Sequence, residues 1–303
     1  MARFFIAGLA GVLLITAAPV AKQTPAPGSH AMVELDVSVT DKTGILTDLR
    51  QDEFQVQDDG KKVVLKTFTS VVARGSTAQG DGREIVIVLD DAGVPMAGTQ
   101  AMQQIANVFV ANARSGDTVS VVRLHKTDDE VSKDRQVALS RIAAFQSGAI
   151  PFFENETTED MLRLVVKLSN HWAETLPHRR KAIVCIGSPA VCLPDEREST
   201  APRDQYSTWV DAMSAAGRAN AVVYAAIPGR FTLGGGGLIE RTGGEAFGGT
   251  SNFVPAVEQV YGDLSQYYLL GYEPATSKKD LRSVSVRVNR KGVTVHTRNK
   301  RGK

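Results

Sequence analysis

Residues 83–94 read REIVIVLDDAGV, and this run is the most strand-like in the chain. Ile85 to Leu89 are consecutive apolar residues, mostly β-branched, with no polar residue between them. That pattern predicts a strand buried on both faces, which is typical of a parallel sheet covered by helices. Because ligands of open α/β sheets bind at the carboxyl ends of the strands, Asp90 and Asp91 lie where a site is expected.

The residues that follow predict repeated strand and helix units. The first helix spans Thr99 to Arg114, with Thr99 as its expected N-cap, and the strand Thr118 to Val122 comes next. Later strands and helices are expected at Lys181–Ile186, Ala221–Ile227, 157–169, 204–220 and 253–264. Alternation of this kind predicts an α/β domain over residues 83–265, with a parallel, Rossmann-like sheet.

Antiparallel β structure is predicted on both sides of this domain. Residues 31–72 contain an alternating, half-exposed strand from Met32 to Thr40 and a hairpin turn at Asp58-Asp59-Gly60, which we favour over a calcium loop. Near the other end, Ser283–Val288 and Val293–Thr297 predict a second hairpin. We expect the strands of 266–298 to join those of 31–72, so that the α/β domain is inserted in a small antiparallel β domain.

The N-terminal residues have the layout of a secretory signal peptide. In residues 1–21 an early Arg precedes an apolar stretch and then small residues, and residues 22–30 are a Pro-rich linker. Export to the periplasm, the cell surface or the medium is therefore expected. The membrane is a partner only if this segment stays uncut, as a short anchor.

Four segments resemble a von Willebrand factor A-related family of exported bacterial proteins, of the acidobacterial type. The matching segments are VTDKTG (39–44), DEFQVQDDGK (52–61), LIERTGGEAF (238–247) and QYYLLGYEP (266–274). The strand ending in Leu-Asp and the helix after it also look like the start of a von Willebrand factor A domain. The resemblance implies a fold of that kind, and a function in protein binding.

The resemblance also implies where remnants of a metal-ion-dependent adhesion site would lie. The family builds this site from an Asp-x-Ser-x-Ser loop, a Thr and a further Asp. Asp90 matches the first Asp, with Asp91 beside it, but Ala92 and Val94 stand at the two Ser positions. The remaining candidates are Thr157 or Thr158, which a helix cap explains equally well, and Ser188 in place of the last Asp. Few charged oxygen ligands remain, so we expect a degenerate site and no metal or other cofactor.

The two cysteines leave two interpretations open. Cys185 lies in a predicted strand and Cys192 in the loop after it. In an exported protein they could form a disulfide, or Cys185 could be a buried thiol and Cys192 an unrelated loop thiol.

Composition and motifs limit the function. The chain has 303 residues, a net charge of +2 and basic residues clustered only in the tail at 299–303, which disfavours nucleic acid. The glycine-rich loop at 231–237 lacks the Lys and hydroxyl of a nucleotide-binding loop, and no catalytic motif is present. We expect a non-enzymatic module that binds another protein. The alternatives are a metal-dependent adhesion domain with an altered site and a hydrolase using Asp90 and Asp91.

Overall fold

The computed structural model describes residues 32–72, 82–126, 129–175, 180–193, 203–229, 237–274 and 281–302. The predicted signal peptide and the linker at 22–30 lie outside these residues, as do most of the linker at 73–82 and most of the glycine-rich loop. The chain from Met32 onward forms one compact unit.

The described residues contain fourteen strands and seven α-helices. The strands are β1 (Val33–Asp41), β2 (Gly44–Ile45), β3 (Phe54–Asp58), β4 (Lys61–Val63), β5 (Leu65–Val72), β6 (Glu84–Leu89), β7 (Thr118–Arg123), β8 (Lys181–Ile186), β9 (Ala221–Ile227), β10 (Ala246–Gly248), β11 (Gln266–Tyr272), β12 (Leu281–Val288), β13 (Thr294–His296) and β14 (Lys300–Gly302). The helices are α1 (Thr99–Asn112), α2 (Arg135–Ala143), α3 (Glu154–Thr175), α4 (Pro189–Cys192), α5 (Arg203–Ala219), α6 (Leu238–Thr242) and α7 (Val254–Ser265).

The α/β part is built on a five-stranded parallel sheet with the order β10-β9-β8-β6-β7. Ile85 to Leu89 of β6 are fully buried between two helical layers. Ile85 and Ile87 pack with α1 and α7, while Val86 and Val88 pack with α3 and α5. Burial of these five side chains contributes roughly 10 kcal/mol before the entropy of folding is subtracted. The predicted doubly covered parallel strand is confirmed.

Two predicted helix caps are wrong, although α1 begins at Thr99 as predicted. A turn of 3-10 helix at Met96–Gly98 precedes α1, so Thr99 is the first residue of the helix rather than its cap. The hydroxyl of Thr99 instead accepts a hydrogen bond from the backbone N–H of Ser147 at 3.0 Å. Helix α3 begins at Glu154, which places Thr157 and Thr158 inside its first turns. The hydroxyl of Thr158 donates back to the carbonyl of Glu154, and so it does not cap the helix.

Strands from both ends of the chain form the antiparallel part of the structure. β1 pairs with β11 and β13, and β3 pairs with β12, as expected from the sequence. The β3–β4 hairpin is also confirmed, because Asp59 and Gly60 have φ values of 54° and 78° in a two-residue turn.

The predicted hairpin between the last alternating strands is wrong. β12 pairs with β3 and β14, whereas β13 pairs with β1 in a different sheet. Each strand has an apolar face that packs on the same core cluster, but from separate sheets. Alternation in the sequence indicates a face for each strand, and it does not say which strand is its neighbour.

β1 is not half-exposed as predicted. Its polar residues Asp36 and Ser38 are buried, because this face of β1 packs on the α/β part. Nε of Arg180 lies 2.9 Å from Oδ2 of Asp36, and Ser38 donates a hydrogen bond to Asp263 at 2.7 Å. The buried polar groups are therefore paired across the contact, as burial of charge requires.

Candidate functional site

Three loops meet at the carboxyl end of the parallel sheet. β6 lies between β7 and β8, so the residues that follow these three strands come together. Asp90 and Asp91 follow β6, His125 lies two residues after β7, and Ser188 lies two residues after β8. This edge is where ligands of open α/β sheets bind.

The carboxylate of Asp90 ties two of these loops together. Oδ1 accepts hydrogen bonds from the backbone N–H groups of Ala92 at 3.1 Å and Gly93 at 2.7 Å. Oδ2 accepts one from the backbone N–H of Ser188 at 2.9 Å. The side chain is fully buried, and three N–H donors replace its hydration. Asp90 therefore links the loop after β6 to the loop after β8.

Two glycines allow this close approach. A Cβ on Gly93 would lie 2.3 Å from Oγ of Ser188, and one on Gly187 would lie 2.2 Å from Cβ of Asp90. Both distances are shorter than side-chain atoms tolerate. Only glycine fits at these two positions while Asp90 keeps its hydrogen bonds to both loops.

Asp91 takes part in a separate contact. Its Oδ1 lies 2.5 Å from Nδ1 of His125, and the other ring nitrogen, Nε2, lies 3.6 Å from Oδ2 of Asp160 in α3. Asp91 is nearly buried, whereas Asp160 is 44% exposed. The imidazole therefore links the β6 loop, the end of β7 and α3. Asp90 and Asp91 therefore bind different partners, and no hydrogen bond within the described part of the chain joins their two carboxylates.

The pKa of the Asp129 carboxyl, close to this site, is lowered. Burial raises the pKa of its carboxyl, but hydrogen bonds and charge from Arg123 outweigh burial and hold the pKa below its usual range. Nε of Arg123 lies 2.8 Å from Oδ2 of Asp129, and Arg141 lies 3.3 Å from the other oxygen. These pairs fix the segment after β7 that carries His125.

The residues at the implied adhesion-site positions do not fit a divalent metal. Ala92 and Val94 are buried and present only methyl groups. Both oxygens of Asp90 already accept backbone hydrogen bonds, and the hydroxyl of Thr158 donates to carbonyls of Glu154 and Ala190. Ser188 brings a neutral hydroxyl that is buried without a hydrogen-bond partner in the described part of the chain. A divalent ion prefers several charged oxygen ligands, and this set offers too few.

Thr157 adds no contact that would change this conclusion. It is buried in the first turns of α3, and no hydrogen bond of its hydroxyl is found among the described residues. Across the described ranges, no group of three or more His, Cys, Asp or Glu side chains is placed to hold a metal ion.

The two cysteines form a disulfide. Cys185 in β8 and Cys192 at the end of α4 have Cα atoms 5.4 Å apart, and both side chains are buried. The bridge closes the segment that carries Ser188, whose N–H holds Asp90, and Ala190, whose carbonyl accepts the hydroxyl of Thr158. Of the two interpretations, the disulfide is therefore the one the structure contains.

Sequence reasoning missed two features of this edge. One is His125, whose only signal was its position just after a predicted strand. The other is a set of exposed apolar side chains on the neighbouring loops: Met96 is 65% exposed, Phe152 41% and Phe153 59%. The signal for the aromatic pair was its place in a polar stretch, where neither residue continues a helical or strand pattern.

A cavity of about 380 Å³ opens between α1 and the loops after β9 and β10. Its walls include Ile105, Val108 and Phe253, with Thr250 and Ser251 at one side. None of the described residues that line it is charged.

Compared with known proteins, the sequence matches no family model and no curated protein. None of the helices in the described ranges combines the length and apolar character that a membrane span requires.

Proposed function

We propose that the chain is an exported, non-enzymatic module that binds another protein through the loops at the carboxyl end of its parallel sheet. The observation that carries this proposal is the exposure of Met96, Phe152 and Phe153 on those loops. Large apolar side chains exposed on neighbouring loops mark interaction surfaces in soluble proteins. We call these three residues the apolar edge.

The two loops that carry the apolar edge touch each other. The backbone N–H of Ala149 donates to the carbonyl of Asp91 at 3.1 Å, and a Cβ on Gly148 would lie 3.1 Å from the backbone N of Met96. The loops are thus held on a rigid sheet, which lowers the entropy lost when a partner binds.

The proposed family is the von Willebrand factor A-related group of exported bacterial proteins. Its support is the resemblance of the four sequence segments, together with a parallel sheet in which β6 lies between β8 and β7 and is followed by the loop at Asp90. Export is supported by the layout of residues 1–21, and the Cys185–Cys192 disulfide is compatible with it. The degenerate adhesion site belongs to the same proposal.

Two alternatives remain distinguishable by experiment. A metal-dependent adhesion domain requires several charged oxygen ligands, whereas Ala92 and Val94 present methyl groups and Ser188 a neutral hydroxyl. A hydrolase is favoured by one observation, the 2.5 Å contact between Asp91 and His125, which resembles the base and orienting pair of hydrolytic sites. Nε2 of His125 faces the carboxylate of Asp160 at 3.6 Å, and no hydroxyl or thiol among the described residues is hydrogen-bonded to it.

Site-specific photo-crosslinking tests the proposed function. A benzoyl-phenylalanine at position 152 should crosslink to a discrete partner in the native host, while the same group at position 64 should not. Val64 is a matched control because it is 77% exposed and lies on the antiparallel part. Equal crosslinking at both positions, or none at position 152, would refute a partner at the apolar edge. Hydrolysis of a broad ester and phosphoester panel, lost in Asp91→Asn, would favour the hydrolase instead.

A further inference from the structure

The carboxyl end of the parallel sheet carries an excess of negative charge. Its described loops and the first turns of α3 comprise residues 90–98, 124–126, 144–160, 187–193, 228–229 and 249–253. The carboxylates in these segments are Asp90, Asp91, Glu154, Glu156, Glu159 and Asp160. The basic residues there are Lys126 and, when protonated, His125. The whole chain has a net charge of +2, so these described segments have the opposite sign to the protein as a whole.

The negative charge lies beside the apolar edge. Residues 151–156 are consecutive exposed residues with the sequence PFFENE, so Glu154 and Glu156 directly follow the two phenylalanines. One turn further along α3, Asp160 is 44% exposed. An aromatic pair with carboxylates on its flank forms one surface.

The helix dipole accounts for only part of this arrangement. Acids in the first turn of a helix stabilise its positive end, and this explains Glu154 and Glu156 as helix residues. It does not explain Asp91, which lies at a strand end, or the exposure of Phe152 and Phe153 next to these acids. Exposed apolar side chains alone would fit many partners. The carboxylates beside them restrict the partners to those with complementary charge.

We infer that the apolar edge and its acidic flank bind a cationic protein segment, one that presents Arg or Lys beside large apolar side chains. This inference rests on the proposed function and adds the chemistry of the partner. The apolar side chains of the segment would cover Phe152, Phe153 and Met96, while its cations would face Glu154, Glu156 and Asp160. An anionic membrane surface is disfavoured, because the same carboxylates would repel it.

The test uses a short fluorescein-labelled peptide in which arginines are interspersed with leucines, and a control peptide with Glu in place of every Arg. Fluorescence anisotropy with the mature chain should show binding of the cationic peptide only. The Kd should rise severalfold between about 50 mM and about 300 mM salt, because exposed charges are screened. In Glu154→Gln/Glu156→Gln the Kd should rise about fivefold at low salt, as expected for two exposed ion pairs.

Glu174→Gln is the matched control for charge. Glu174 is exposed on the same helix, 18 residues from Glu156 and thus roughly 27 Å away along α3. Its substitution should leave the Kd unchanged. Phe152→Ser/Phe153→Ser should abolish binding of the cationic peptide without changing the melting temperature.

The outcomes separate this inference from the proposed function. If both peptides bind, and both lose binding in Phe152→Ser/Phe153→Ser, the interaction surface stands and the cationic partner is refuted. If the cationic peptide binds equally well to Glu154→Gln/Glu156→Gln and to the natural chain, the inference is also refuted. Binding to vesicles of anionic lipid, with none to either peptide, would replace a protein partner by a membrane and overturn both.

Discussion

The two ends of the same parallel sheet differ in whether their charged side chains are paired inside the protein or exposed to solvent. At the amino end, Arg83 precedes β6 and Asp117 precedes β7, and their side chains form an ion pair of 2.5 Å at 7% and 5% exposure. Arg83 also donates to the carbonyl of Tyr261 and to Ser265, and lies over the Tyr261 ring. At the carboxyl end, apolar side chains and carboxylates face solvent. At the amino end the charged side chains pair with each other. At the carboxyl end, exposed side chains are available to contact a partner.

This comparison indicates that stability and binding are separated along the strands. The amino end should respond to substitution as a folding element, with large changes in the free energy of unfolding. Exposed residues of the carboxyl end should change binding and leave unfolding almost unaffected. The predictions below test that separation.

The largest effect is expected at the amino end, for Arg83→Met. The substitution leaves the buried carboxylate of Asp117 without its cation, which should lower the free energy of unfolding by roughly 3 to 5 kcal/mol. Urea unfolding followed by circular dichroism measures the change. Arg83→Met/Asp117→Asn should recover part of the loss, since the buried charge is removed. A loss below about 1 kcal/mol in the single variant would show that the amino end is not a folding element.

A smaller loss is expected when the disulfide is removed. Cys185 and Cys192 are seven residues apart in sequence, so the chain-entropy estimate gives about 2.5 kcal/mol for Cys185→Ala/Cys192→Ala. Thermal unfolding with and without a reductant is the measurement. The natural chain should lose stability in reductant and the double variant should not. An identical response of the two proteins would argue against a bridge.

Acid should weaken the amino end through Asp117. Burial raises the pKa of this carboxyl, but hydrogen bonds from Arg83 and Arg114 outweigh it and hold the pKa below its usual range. A carboxyl with a lowered folded pKa contributes its full stability above the unfolded value, near 3.9, and loses it as the pH falls through the folded pKa.

The melting temperature should therefore decline as the pH falls below about 4, and less steeply in Asp117→Asn. Asp117→Asn should already be less stable than the natural chain at neutral pH. Parallel pH profiles of the two proteins would contradict the assignment.

The smallest effect is expected from divalent metal. A ligand that binds only the folded state raises stability by about 2.7 kcal/mol at a hundredfold excess over its Kd. We expect no rise in melting temperature in millimolar Mg²⁺ or Mn²⁺, because Ala92 and Val94 offer no oxygen and Asp90 is engaged by N–H groups. The triple variant Ala92→Ser, Val94→Ser, Ser188→Asp should show a rise. A Mg²⁺-dependent shift in the natural chain that Asp90→Ala abolishes would favour the metal-dependent alternative.

The sequence was informative where one segment alone determines the outcome. The apolar run from Ile85 to Leu89 predicts a strand covered on both sides, because a short, mostly β-branched run without polar residues is typical of such strands. The turn at Asp59-Gly60 was equally local. The position of Asp90 and Asp91 at the carboxyl end followed from the same strand.

The details of the site depend on contacts between residues far apart in the chain, so the sequence alone did not predict them. The partner of Asp91 is His125, which arrives there only because β7 lies beside β6. The third donor to Asp90 comes from Ser188, 98 residues later. The alternation in β1 predicted that Asp36 would be exposed, but Arg180, which directly precedes β8, forms an ion pair with it. These three features depend on contacts distant in sequence, whereas the errors in the helix caps were local.

The pairing of β1 with strands from the far end of the chain has a consequence for how the protein is made. The carbonyl of Asp36 accepts a hydrogen bond from the hydroxyl of Thr297, 261 residues later. At roughly 5 to 20 residues per second, a ribosome needs about 10 to 50 seconds to supply that partner. During this time β1 can pair with β2, but its other partners, β11 and β13, have not yet been made. The antiparallel part can therefore close only after Thr297 has been synthesised, which makes its folding a late event compared with that of the strands between β1 and β11.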